Sequence, residues 1–153
     1  MTDDAIGKAR DRAWIAARIP HQGAMCLLER VVDWDEDFVV CEAVSHRSPA
    51  NPLRAEGRLA AVCGIEYAAQ AMAVHGALRA QTGERPRMGY LASVRKLTLE
   101  VERLDDVAGP LVVEARRIGS EESNVLYAFE VRDAERVLLA GRAAVMLDVA
   151  PPA

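Results

Sequence analysis

Concentrated positive charge is what this 153-residue sequence most plainly lacks. Its only lysines are Lys8 and Lys96, its arginines are dispersed, and the net charge is −4. Binding to nucleic acid needs a basic balance to meet the phosphates, so that class of partner is excluded. Cysteine is scarce too. Cys26, Cys41 and Cys63 are odd in number and spaced 15 and 22 residues apart, which fits neither a disulfide framework nor a zinc knuckle. Free thiols in a reducing cytosol are expected. No uninterrupted apolar run spans a bilayer. The most apolar stretch, 59–78, is largely alanine and holds Glu66, Gln70 and His75, as a buried helix would. Residues Met1–Asp4 begin acidic, without the apolar region of a signal peptide, so a soluble cytoplasmic protein is expected. There is no G-x-S-x-G elbow, no P-loop and no G-x-G-x-x-G fingerprint. No two histidines have metal-ligand spacing on a helix, so neither metal nor nucleotide is expected.

What is present describes one globular domain. Hydrophobic residues make up 51% and charged residues 27%, enough for a core without staples. Residues 5–17 suggest a short surface helix ended by Pro20, within an N-terminal extension over 1–18. Residues 24–34 and 37–46 are rich in β-branched and aromatic side chains about the acidic turn 35–37, and predict a hairpin. Two prolines, Asn51 and Gly57 make 47–58 a loop. Residues 59–80 predict one long helix, ended by Thr82-Gly83 and Pro86. Its apolar residues lie on every side, so it should be buried nearly all round. Four strand-like runs follow at 88–104, 110–118, 124–132 and 137–148. The fold class is α+β: a six-stranded antiparallel sheet curved around one long helix, as a single domain over 19–150.

Chemistry concentrates on that helix. At about 100° per residue, Glu66 and Gln70 share a face and His75 falls opposite. Glu66 is the one ionisable group on that face. A buried carboxyl needs a partner or a raised pKa, so it is a functional candidate. Among the histidines, His46 ends the second predicted strand and opens the loop, a common place for catalytic groups. His21 follows Pro20 at the first predicted strand and reads as structural, and His75 as a satisfied core histidine. Cys63 lies on the Glu66 side but within apolar surroundings that leave a thiol inert. Asn51 offers hydrogen bonds in the loop or an Asx-turn before Pro52.

Two motifs carry a resemblance. I-P-H-Q-G-A-M-C-L-L-E-R-V at 19–31 is similar to the first-strand motif L-P-H-x-x-P-x-L-L-x-D-x-V of the hotdog-fold 3-hydroxyacyl acyl-carrier-protein dehydratases. G-I-E-Y-A-A-Q-A-M-A at 64–73 is similar to their central-helix motif, in which Gln follows Glu by four residues. The chain resembles most the divergent branch found in aryl-polyene and xanthomonadin-type pigment clusters. The resemblance implies a helix wrapped by six strands, usually a homodimer and alternatively a heterodimer. Active sites would lie at the interface, each pairing a His with a Glu or Asp of the other subunit. Glu66 takes the carboxyl role by motif. The family's H-F-P-G loop is absent, and its histidine would fall near Pro52, so His46 takes the base role through a rearranged loop.

The implied reaction removes water from a 3-hydroxyacyl thioester carried on the phosphopantetheine arm of acyl carrier protein, with no other cofactor. His46 would take the α-proton, and buried, protonated Glu66 would donate to the leaving hydroxyl. Backbone N–H groups at Cys63 and Gly64 would meet the enolate-like oxygen, with further substrate contacts from His21, Asn51 and Gln70. Ala69, Ala73 and Ala77 would set the depth of an acyl tunnel. Arg54, Arg58, Arg85 and Arg87 are candidates for meeting an acidic carrier. A thioester hydrolase and a non-catalytic acyl-binding subunit are the alternatives.

Overall fold

A computed structural model describes residues 7–80, 89–121 and 123–147. Six strands are β1 (Arg30–Trp34), β2 (Phe38–Ala43), β3 (Gly89–Leu99), β4 (Leu111–Ser120), β5 (Asn124–Arg132) and β6 (Val137–Leu147). They form one sheet in the order β1-β2-β4-β5-β6-β3, antiparallel at every pair. A short helix, α1 (Arg12–Ala16), precedes them, and the long helix α2 (Gly64–Ala80) lies between β2 and β3 in the chain. This is the hotdog architecture anticipated from the sequence.

Alternation builds the core. Val31, Val39, Cys41 and Ala43 point inward from β1 and β2, as do Leu111, Val113 and Ala115 from β4 and Phe129 and Val131 from β5. Helix α2 packs over β2, β4 and β5. Gly64 lets its first turn approach β6, because a Cβ there would meet Leu139 Cδ2 at 2.5 Å. The Asp35 carboxylate closes the β1–β2 turn by accepting from the N–H groups of Asp37 and Phe38. Ile15 of α1 is fully buried in the same core, so α1 packs against the domain.

Three expectations are corrected. Strand structure begins at Arg30, not at residue 24: Gly23–Met25 is a 3-10 turn, and side chains rather than a neighbouring strand satisfy the Leu27 backbone. The helix begins at Gly64, behind a 3-10 turn at Ala61–Cys63. Ahead of that turn, Leu59 is tied to the 101–107 segment: its N–H donates to Asp105, and its carbonyl accepts from Leu104. Nor is the helix buried all round. Ala73 and Gly76 are exposed, and Ile65, Glu66 and Ala69 are half-buried, on one stripe. Small apolar residues occupy buried and open faces alike, so the pattern carried no polar mark of the open side. The expected helix stop at 82–86 lies outside the described residues.

Candidate active site

The histidine that meets Glu66 is His21. Its Nε2 lies 3.1 Å from Glu66 Oε1, within one chain. Neither side chain is sealed off: His21 retains 26% and Glu66 35% of its exposure, so both are open to solvent. The burial expected of Glu66 is therefore absent. Its carboxyl is held by His21 and, at 3.4 Å, by the Gln70 amide. His21 Nδ1 is enclosed without a partner among the described residues, which leaves Nε2 as the nitrogen for proton traffic.

Helix α2 holds the His21-bearing segment as well as Glu66. Gln70, fully buried, accepts from the Leu27 N–H at 2.9 Å and donates to the Met25 carbonyl at 2.7 Å. Gln70 thus acts as a strand substitute for backbone that has no strand partner. Beside its contact with Glu66, this anchoring is its larger task. Ser45 donates to the Leu27 carbonyl at 2.7 Å.

His46 is elsewhere. It is fully buried, and its Nε2–H donates to the Val107 carbonyl at 3.1 Å. Burial lowers its pKa below the ordinary histidine value. Arg54 donates to the His46 carbonyl, and Arg47 to that of Ala108, so His46 fastens its loop to the 107–108 segment, away from Glu66. Asn51 also turns inward: it donates to the Ser45 carbonyl and to Tyr67 Oη, each at 3.0 Å, and accepts from the Leu53 N–H. Both of its donors are used, so it supports the loop instead of touching substrate.

The backbone donors expected at Cys63 and Gly64 are spent as well. The Cys63 N–H binds the Ala60 carbonyl, and the Gly64 N–H binds that of Ala61. Burial raises the Cys63 thiol pKa, keeping it protonated and unreactive. His75 is a core histidine, bonded to Tyr127 Oη at 2.7 Å and to the Asp35 carbonyl at 2.9 Å. Of the helix alanines, Ala77 is buried and Gly76 takes its place on the open stripe. Arg54 spans its own loop, Arg58 is exposed, and Arg85 and Arg87 lie outside the described residues. Among the described residues, no three His, Cys, Asp or Glu side chains gather as a metal site, and no helix is long and apolar enough to cross a membrane.

Sequence reasoning missed the dyad partner and two supports, Ser45 and Tyr67. The available signal was that His21 and Glu66 belong to the two motifs behind the resemblance. Their separation along the chain concealed the contact.

A long helix wrapped by a six-stranded antiparallel sheet, with a carboxyl at the helix start, places the chain among hotdog-fold proteins. The ApeP-like family model, described as ApeP dehydratase, matches residues 13–150, and the chain belongs to that dehydratase family. Among solved structures, the dehydratase heterocomplex ApeI:P from Xenorhabdus doucetiae superposes with a TM-score of 0.78 at 22% identity, covering 89% of this chain and 91% of that one. A mutant form of thioesterase PA1618 from Pseudomonas aeruginosa gives 0.62 at 12% identity, covering 90% and 94%. A mutant form of thioesterase SAV0944 from Staphylococcus aureus gives 0.57 at 15% identity, covering 78% and 92%. At these identities the structural likeness speaks for the fold. No curated protein sequence matches the chain significantly.

Proposed function

We propose that the chain dehydrates a 3-hydroxyacyl thioester, presented on the phosphopantetheine arm of an acyl carrier protein in the cytoplasm, to the 2-enoyl thioester. The observation that carries this reading is the 3.1 Å His21–Glu66 contact on a member of the ApeP-like dehydratase family. Dehydration removes a proton from the α-carbon and delivers one to the β-hydroxyl, which leaves as water. Once substrate enters between them and opens their hydrogen bond, the pair has the two functions required: His21 Nε2, its lone pair freed, as base and the protonated Glu66 carboxyl as acid. After water departs, the proton on His21 returns to Glu66 across their hydrogen bond, and the pair is reset. Helix α2 begins two residues before Glu66, so its positive dipole end favours the charge that develops on the thioester oxygen. In this reading His21 and Glu66 work as a pair inside one chain, where the resemblance implied a pairing across two subunits.

The proposal includes a second hotdog subunit along β3. This edge strand is exposed for nearly all its length, with Tyr90, Leu91, Leu97 and Leu99 open. An apolar edge of this kind pairs with another strand. Strand β3 carries Arg95 and Lys96 but no acidic residue, so pairing with its own copy would set like charges together. A non-identical partner is favoured, as in the ApeI:P heterocomplex among its structural neighbours.

The test is mass spectrometry of a 3-hydroxyacyl carrier protein incubated with the chain, alone and with a co-expressed hotdog subunit, beside Glu66→Gln and His21→Ala. Loss of one water with wild type, and a fall of roughly 10²–10⁴-fold in either variant, is expected for losing an acid–base group. Release of free acid would mean a hydrolase. Full turnover by Glu66→Gln would remove the carboxyl from the mechanism.

A further inference from the structure

The segment that carries His21 has an unusual support. Between the 3-10 turn at Gly23–Met25 and the start of β1, the Leu27 peptide lies deep in the core with no strand beside it. Its N–H is taken by Gln70 and its carbonyl by Ser45. The directions of the remaining bonds follow from counting hydrogens. Ser45 has one hydroxyl hydrogen, and the Leu27 carbonyl can only accept, so Ser45 donates there. The contact between Ser45 Oγ and Tyr67 Oη, at 2.8 Å, must then carry the tyrosine's hydrogen. Tyr67 Oη in turn accepts from Asn51 Nδ2. The result is a one-way chain from Asn51 through Tyr67 and Ser45 to the Leu27 carbonyl.

Most of this chain is closed to solvent, and Ser45 is half-buried. Tyr67 and Leu27 are fully buried and Asn51 is 5% exposed. Burial also raises the Tyr67 pKa, so the phenol keeps the hydrogen the chain requires. Tyr67 follows Glu66 directly on α2, and Gln70 is one turn further along. One helix therefore fixes the carboxyl and, through two separate polar anchors, the backbone six residues after His21.

We propose that Tyr67, Ser45 and Asn51 form a positioning unit, which holds residues 20–28 in the placement that sets His21 against Glu66. None of the three touches substrate, and the catalytic relevance of the unit rests on the dyad proposed above. It also gives Asn51 and the 45–54 loop a task in a chain whose loop lacks the expected catalytic histidine.

The experiment compares Ser45→Ala, Ser45→Thr and Tyr67→Phe in the full chain. Hydrogen exchange without substrate is expected to accelerate about tenfold or more over residues 22–28 in Ser45→Ala and Tyr67→Phe, with the β4–β6 amides unchanged. Ser45→Thr, which keeps the hydroxyl, should restore the wild-type rates. On a 3-hydroxyacyl thioester, kcat should fall roughly ten- to a hundredfold with KM held within about twofold, the scale of a misplacement near 1 Å. In a His21→Ala background, Ser45→Ala should add no further loss. Unchanged exchange at 22–28, or acceleration spread evenly over the whole chain, would overturn the proposal. So would a kcat loss that persists in full without His21. If the wild type dehydrates nothing even with its co-expressed hotdog subunit, the dyad reading fails, and the exchange comparison alone still decides whether the unit holds the segment.

Discussion

Replacing Gln70 with leucine should cost this protein about 2–4 kcal/mol of stability, a figure that follows from what the substitution leaves behind. Leucine fills nearly the same volume, so no large cavity forms. The two partners of the amide are backbone groups and cannot be removed with it. The Leu27 N–H, in a fully buried residue, loses its only acceptor, and the Met25 carbonyl loses the amide donor at 2.7 Å. An unpaired buried group costs about 1–3 kcal/mol. Met25 is half-buried, so water partly compensates at its carbonyl and the sum falls below twice the upper value. At about 2–4 °C per kcal/mol for a chain of this size, the melting temperature should drop by about 4–16 °C. Urea unfolding is the better assay, because an unchanged slope with a lowered midpoint reports lost stability rather than an altered denatured state. A loss below about 1 kcal/mol would refute the reasoning, showing that the backbone at 25–27 finds other partners and that Gln70 is not its anchor.

Other outcomes follow from the same contacts. His46→Ala should lower stability by freeing the Val107 carbonyl while reducing kcat far less than His21→Ala does; equal losses in steady-state assays would return His46 to the mechanism. Burial lowers the pKa values of His46 and His75 in the folded chain, so both are held neutral there, while the unfolded chain takes up protons near pH 6.5. Their contribution is complete above that pH and is lost as pH falls below it, with a slope of up to about 1.4 kcal/mol per pH unit for each histidine. In His75→Phe, urea titrations between about pH 6.5 and 5 should show this slope reduced by up to one histidine's share; an unchanged slope would mean that His75 is already protonated in the fold. Gly64→Ala should destabilise by about 1–3 kcal/mol through overpacking on Leu139, and Leu139→Ala in the same chain should recover part of that loss in thermal melts.

The proposed dyad offers a route to the family's chemistry in a chain without the H-F-P-G loop. In this chain the 45–58 loop is a packed structural piece. His46 and Arg54 bind backbone carbonyls, and a tight turn with Glu56 at φ 53° and Gly57 at φ 77° closes it between Ala55 and Arg58. In the proposed mechanism a histidine on a different segment, His21, takes the base role. That shift needs a new way to hold the segment against α2, and the side chains of Gln70 and Ser45 supply it.

Local patterns in the chain were enough for the elements and their class. Runs rich in β-branched and aromatic residues between turns marked the strands, a proline-free alanine-rich run marked the one long helix, and two motifs identified the dehydratase family and singled out Glu66. Each of these signals depends on residues within a turn or a strand of one another. Which histidine meets Glu66 was settled only by tertiary packing. His21 and His46 are both polar residues beside strands, and nothing local separates them. The difference lies in burial and long-range bonding: one is sealed against Val107, and the other is carried onto the helix by backbone bonds to Gln70 and Ser45. The open side of α2 was likewise hidden, since alanine and glycine suit a buried face and an exposed one equally well. Contacts between segments far apart in sequence fixed the site, and those form only when the sheet closes around the helix.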